Sequence, residues 1–183
     1  MKTIVLINGV ARSGKDTFAE FLKTHLTKDL NPLIVPNAQG VKSIASQVYG
    51  WDGNKDERGR SLLIGITNVG YNYSPYFWEK YSESSIKKLE AITNTTFNTI
   101  IVPDFRYKNT YDYYVNRGFK VITIYVVRPD FDNELGVNKY DVSEMPMDID
   151  FDFAIKNDSD LQALENHAKH VAEVINSMTR EGK

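Results

Sequence analysis

The 183-residue sequence contains no cysteine. Disulfides, thiolate nucleophiles and cysteine-bound zinc are thereby excluded, and a reducing compartment is permitted. Excess charge of either sign is also missing: 22 Lys and Arg stand against 24 Asp and Glu, a formal net charge of −2. That balance leaves no electrostatic footprint for nucleic acid or an anionic membrane surface. Histidine is scarce. His25, His167 and His170 lack a metal-ligand spacing, and the last two fall in a polar stretch that reads as a solvated helix face. Long apolar runs are absent, so no segment is expected to span a membrane. The run Ile4 to Ile7 is too short for a secretory leader, and Arg12 and Lys15 follow it closely. Without a leader, the Asn-x-Ser/Thr triplets at Asn72, Asn94 and Asn157 carry no meaning. What remains is ordinary for a folded chain. Hydrophobic residues make up 42% and charged residues 25%, in a length that suits one domain with a real core.

Repeats, low-complexity tracts and linkers are absent; short apolar runs alternate with helical periodicity instead. Strands are expected at Ile4 to Ile7, Leu33 to Val35, Thr99 to Val102, Val121 to Val127 and Phe153 to Ile155. Helices are expected at Lys15 to Lys28, Val41 to Tyr49, Glu57 to Ile66, Tyr76 to Ile92, Asn109 to Arg117 and Ser159 to Met178. Gly70 and Pro75 are placed between two of these helices, and Gly118 as a C-terminal cap. The alternation predicts an α/β fold: a five-stranded parallel sheet covered on both faces, in three layers. Ligands in such folds bind beyond the carboxyl ends of the strands. Gly9 to Thr17, Pro103 to Arg106, Arg128, and Asn157 with Asp158 each follow a predicted strand.

Gly9-Val10-Ala11-Arg12-Ser13-Gly14-Lys15 fits G-x-x-x-x-G-K between a strand and a helix. Glycines let the backbone curl so that several N–H groups converge on an anion, and the helix N-terminus adds its own. Lys15 can reach the β- and γ-phosphates of a nucleotide. The usual Ser or Thr after the lysine, which binds Mg²⁺, is replaced by Asp16, with Thr17 one position later. Asp16 is expected at the metal shell, directly or through water; a carboxylate complementing the helix dipole is the alternative. Thr17 then lies near the α-phosphate. A dinucleotide-binding fingerprint is disfavoured because G-x-G-x-x-G is absent.

The ordered set of motifs resembles the P-loop nucleoside monophosphate kinases, and most closely the phage-type deoxynucleoside monophosphate kinases. Gly9 to Thr17 carries the Lys-Asp-Thr ending of that family. Ile101-Val102-Pro103-Asp104-Phe105-Arg106 resembles its Val-Pro-Asp-x-Arg strand end. Val126-Val127-Arg128-Pro129, with Ser143-Glu144 further on, resembles the two ends of its lid, and Ile155-Lys156-Asn157-Asp158-Ser159 its Ile-x-Asn-Asp-Gly-Ser segment. The resemblance implies one P-loop NTPase domain over residues 1–183, with a helical substrate-binding insert at about 40–95 and a lid at about 128–147. It further implies ATP and Mg²⁺ as cofactors, a small nucleotide as acceptor, a cytoplasmic setting (the host's if phage-encoded), and leaves a homodimer open. Two departures bear on base selectivity. Lys139-Tyr140-Asp141-Val142 stands where the family has a His before Ser-Glu, and the middle region is short. The phosphomevalonate kinases share a similar loop and remain the runner-up. A nucleotide-binding module without catalysis is the alternative from another class.

Phosphoryl transfer asks for cations that hold two repelling phosphates and neutralise the moving group. Arg106 leads, because a guanidinium grips phosphate with two prongs, and the resemblance implies that it holds the acceptor phosphate or bridges donor and acceptor; a surface arginine after a turn is the plainer reading. Asp104 is expected to hold a Mg²⁺-bound water, or else to cap the following helix. Lys42, Arg58 and Arg60 are acceptor-side candidates; of the last two, Arg60 is favoured, because residues two apart on a helix point to different sides. Arg128 opens an acidic stretch, Asp130 to Asp152, that would form the lid. Asn157 and Asp158 fit either an adenine-contacting loop or a helix N-cap. Tyr71, Tyr73, Tyr76, Phe77 and Trp78 offer either a base-stacking surface or local core.

Overall fold

The computed structural model describes residues 2–129 and 149–180, so the expected lid, apart from Arg128 and Pro129, lies outside the described residues. The elements run β1 (Thr3–Asn8), α1 (Lys15–His25), a 3-10 turn (Lys28–Leu30), β2 (Pro32–Ile34), α2 (Gln39–Tyr49), α3 (Glu57–Tyr73), α4 (Phe77–Thr93), β3 (Thr99–Val102), α5 (Lys108–Asn116), β4 (Lys120–Val127), β5 (Phe153–Lys156) and α6 (Leu161–Arg180). They divide into two compact units, Met1–Ile34 with Thr96–Lys183, and Val35–Thr95.

The first unit is built on a five-stranded sheet in the order β2-β3-β1-β4-β5, and every pairing is parallel. β1 is central and buried along its whole length, which is why Thr3 to Asn8 reads as a nearly continuous apolar run. Alternate residues serve opposite faces. Val5, Ile7, Ile101, Ile122, Ile124 and Val126 pack with Phe18, Ala19 and Leu22 of α1 and Leu164, Ala168 and Val171 of α6. α5 packs against β4 and buries Tyr113 and Tyr114. α1 stops at His25, short of the expected Lys28, because Leu26 is extended and the next residues form a 3-10 turn. Asn176 of α6 secures this end: its Oδ1 accepts from the Thr27 amide at 3.1 Å, and its Nδ2 donates to the His25 carbonyl at 3.2 Å.

The second unit is three helices, α2, α3 and α4, around Val41, Ala45, Ile66 and Trp78. α3 continues past Ile66 to Tyr73, so Gly70 lies inside the helix rather than between helices. Packing accounts for the glycine there, since a Cβ on Gly70 would collide with the Trp78 indole. The same indole donates its N–H to the Thr67 carbonyl at 3.0 Å. Glu79 is fully buried one residue later, where its Oε1 accepts from the Tyr71 hydroxyl at 3.1 Å.

Candidate active site

The strand order places a topological switch at the carboxyl ends of β1 and β3. The connection after β1 leads to β2 on one side, and that after β3 leads to β4 on the other. Such a divergence opens a crevice that ligands use. Gly9 to Thr17 leaves β1 at this point, and Pro103 to Arg106 leaves β3. The two strongest sequence motifs thus meet at one edge of the sheet.

The loop after β1 is shaped for an anion. Gly14 sits at φ 93, which costs other residues energy, and a Cβ there would lie 2.5 Å from the Asn157 amide nitrogen. A Cβ on Gly9 would collide with the Val126 carbonyl oxygen. Arg12 also has a left-handed backbone, φ 65, and its side chain is exposed. Ala11 is half-buried, and the Ser13 amide closes the loop by donating to the Val10 carbonyl at 3.2 Å. Lys15 opens α1 and is buried at 8% exposure, with its Nζ donating to the Val10 carbonyl at 3.3 Å. An ammonium is seldom buried unless acceptors surround it. The Ser13 hydroxyl is buried with no protein partner among the described residues. A crowded glycine cradle, a buried lysine and an orphaned hydroxyl fit the oxygens of a nucleotide polyphosphate.

Asp16 and Thr17 are exposed on the first turn of α1, and Asp104 is half-buried after β3. No group of three His, Asp or Glu side chains capable of caging a metal occurs among the described residues. That donor set suits Mg²⁺, which is commonly held by one or two carboxylates together with substrate phosphates. The N-cap position of α5 is Tyr107, whose side chain makes no cap bond. Arg106 is half-buried two residues on, and Arg128 is exposed just past β4.

Asn157 and Asp158 have separate jobs, and neither caps α6. That role belongs to Asp160, whose Oδ1 accepts from the Ala163 amide at 2.8 Å. Asn157 donates from its backbone to the Val127 carbonyl at 2.8 Å and from Nδ2 to the Ser13 carbonyl at 2.9 Å, so it binds the end of β5 to the phosphate loop. Asp158 is paired with Lys156 at 2.6 Å, and the hydrogen bond from that lysine holds its carboxyl below the ordinary value.

Of the acceptor-side candidates, Asp104 and Arg106 belong to the first unit, and Lys42, Arg58, Arg60 and Trp78 to the second. Lys42 is half-buried on α2, while Arg58 and Arg60 are exposed on the first turn of α3. Arg60 donates from Nε to the Lys55 carbonyl at 2.9 Å, and Asp56 caps the helix through the Gly59 amide at 2.7 Å. Trp78 is 2% exposed and makes an edge contact with Phe77, so the indole is packed as core and also borders an apolar recess of the second unit. The recess measures about 590 Å³, and its lining includes Ile44, Leu62, Val69, Tyr73 and Phe77.

Sequence reasoning passed over Asn8. It is buried, closes β1, and donates from Nδ2 to the Phe105 carbonyl at 2.7 Å. A polar side chain ending an apolar strand directly before the first loop glycine was the available signal. No described helix is long and apolar enough to cross a membrane.

No protein-family model and no curated protein sequence matches the chain. Solved structures do resemble it. The Mycobacterium tuberculosis APS kinase CysC in complex with AMPPNP and APS is 12% identical over 95% of this chain and 97% of that one, with a TM-score of 0.50. The protein APE1195 is 13% identical over 96% of each chain, also at 0.50. A sugar kinase from Janibacter is 14% identical over 97% of each, at 0.47. The chain therefore shares with the APS kinase and APE1195 an α/β fold, in this chain a five-stranded parallel sheet flanked by helices.

Proposed function

We propose that the chain is an ATP-dependent deoxynucleoside monophosphate kinase, which transfers the γ-phosphoryl group of ATP to a dNMP to give dNDP and ADP. The observation that carries this reading is the phosphate loop: a glycine cradle between the central strand and α1, with Lys15 buried in it and the Ser13 hydroxyl left without a protein partner. The Mycobacterium tuberculosis APS kinase of similar fold is known in complex with AMPPNP and APS, which agrees with a fold that brings an ATP analogue and a small acceptor together. The sequence resemblance supplies the choice of a dNMP.

In this reading the loop amides and Lys15 hold the ATP phosphates. An acceptor phosphate oxygen attacks the γ-phosphorus in line, and the bond to the β,γ-bridging oxygen breaks. Lys15, Arg106 and Arg128 neutralise charge on the equatorial oxygens and on the leaving phosphate. Asp16 or Thr17, with Asp104, would hold Mg²⁺, in part through water. The ion supplies further neutralisation of the phosphate charge. Lys42, Arg58 and Arg60, together with Asp104 and Arg106, are assigned to the acceptor. Trp78 is withdrawn from that set because the second unit needs it as core.

The deciding experiment is coupled ADP release with ATP and Mg²⁺ against dAMP, dGMP, dCMP, dTMP, modified dNMPs, the ribonucleotides and phosphomevalonate. Turnover with one or more dNMPs is expected. Turnover with phosphomevalonate alone would keep the chemistry and replace the acceptor. Nucleotide binding without turnover on any acceptor would leave a binding module.

A further inference from the structure

We infer that Asn8 is a positioning residue that fixes the Asp104–Arg106 segment to the strand carrying the phosphate loop. The parallel ladder between β1 and β3 ends at Leu6 and Val102. Beyond it the chain turns at Pro103-Asp104, and no strand pairing holds the next residues. Phe105 is nevertheless pinned on both sides. Its amide donates to the Ile7 carbonyl at 3.1 Å, and its carbonyl accepts from the Asn8 side chain at 2.7 Å. Its ring is 1% exposed, so the anchor is buried as well as bonded. Asp104 and Arg106 flank this anchored residue, and Gly9 follows Asn8 directly.

The consequence is geometric. The two side chains given charge-handling roles are referenced to β1, from which the phosphate loop springs, and not only to their own strand. One buried side-chain amide ties the end of β1 to the segment after β3 and so sets the distance between the two loops that follow these strands. Small residues would leave the Phe105 carbonyl unpaired in a buried place, and a carboxylate would set oxygen against oxygen. Asn8 need not touch a ligand to matter, because a displacement of about 1 Å in a catalytic group can cost roughly a hundredfold in rate.

The activity readout rests on the kinase reading; a second readout does not. Asn8→Asp, nearly isosteric, and Asn8→Ala as a second variant should lower kcat by roughly tenfold or more while KM for ATP stays within about threefold, since the phosphate loop is intact. Independently, hydrogen exchange at the Phe105 and Arg106 amides should quicken by about tenfold in Asn8→Asp, with the β1 amides still protected. Unchanged exchange at Phe105 would overturn the inference. So would a kcat within about threefold of the parent, or a loss of ATP affinity parallel to that of kcat, which would put Asn8 under the phosphate loop instead. A parent protein inactive with every acceptor would sink the kinase reading alone and leave the exchange result to decide.

Discussion

At the scale of single residues, side-chain chemistry was legible where a position needs one residue type and obscure where a partner is distant in sequence. Gly14 and Lys15 stood out because a positive φ and a phosphate-reaching ammonium are local demands. Asn8 was not legible, because its partner Phe105 lies 97 residues away. Trp78 could not be assigned, since an aromatic residue looks the same in a sequence whether it stacks on a base or fills a core. Two substitutions test the residues that were legible. Lys15→Ala should cut turnover on the order of a thousandfold, because the lost charge acts on the moving phosphoryl group. Circular dichroism should show the fold retained, since α1 keeps its buried Phe18, Ala19 and Leu22. Near-normal ADP release from that variant would remove the phosphate-loop assignment. Arg106→Lys should also lose most activity, because a point charge cannot replace a two-pronged donor. The loss should fall on kcat or on KM for the acceptor. A change confined to ATP affinity would mean that Arg106 holds the other ligand.

Among elements, all five strands were expected from apolar runs bounded by turn residues, and the sheet contains all five. Helix ends were less legible, because they depend on what the next element accepts. α3 runs on through Gly70 because that glycine makes room for Trp78, a packing fact that no local pattern contains. α6 starts at Leu161 because Asp160, not Asn157 or Asp158, satisfies its first amides. The end of α1 shows the same dependence on a partner. Its last carbonyl, that of His25, and the Thr27 amide beyond it are met by one residue of α6, Asn176. Asn176→Ala removes both bonds and leaves two polar groups of the main chain partly buried. A loss of about 1–3 kcal/mol in denaturant unfolding is expected. KM for ATP should not change, because the phosphate loop is at the opposite end of α1. An unchanged midpoint would show that water replaces Asn176 without cost.

For the molecule as a whole, the division into two units was only partly visible. The alternation of strands and helices gives way to helices alone between Ile34 and Thr99, which marks an interruption in the sheet. It does not reveal that each unit has a hydrophobic cluster of its own. One cluster joins β1, β3, β4 and β5 to α1 and α6; the other joins α2, α3 and α4, and the two share no residue. Trp78 is the largest member of the second cluster. It contributes ring contacts to Phe77 and Tyr81 and a hydrogen bond to Thr67. Trp78→Ala should therefore cost about 3–5 kcal/mol, and that cost should fall on the second unit. Two-state unfolding is characteristic of small single domains, and this chain divides into two compact units. Scanning calorimetry of the variant should resolve a low-temperature transition for the helical unit and a second transition close to that of the parent. Affinity for AMPPNP should stay within about threefold, because Trp78 and the phosphate loop belong to different units. A single transition shifted downward, with AMPPNP binding lost alongside it, would show that the two clusters melt as one cooperative body, and that the phosphate loop depends on the helical unit for its shape.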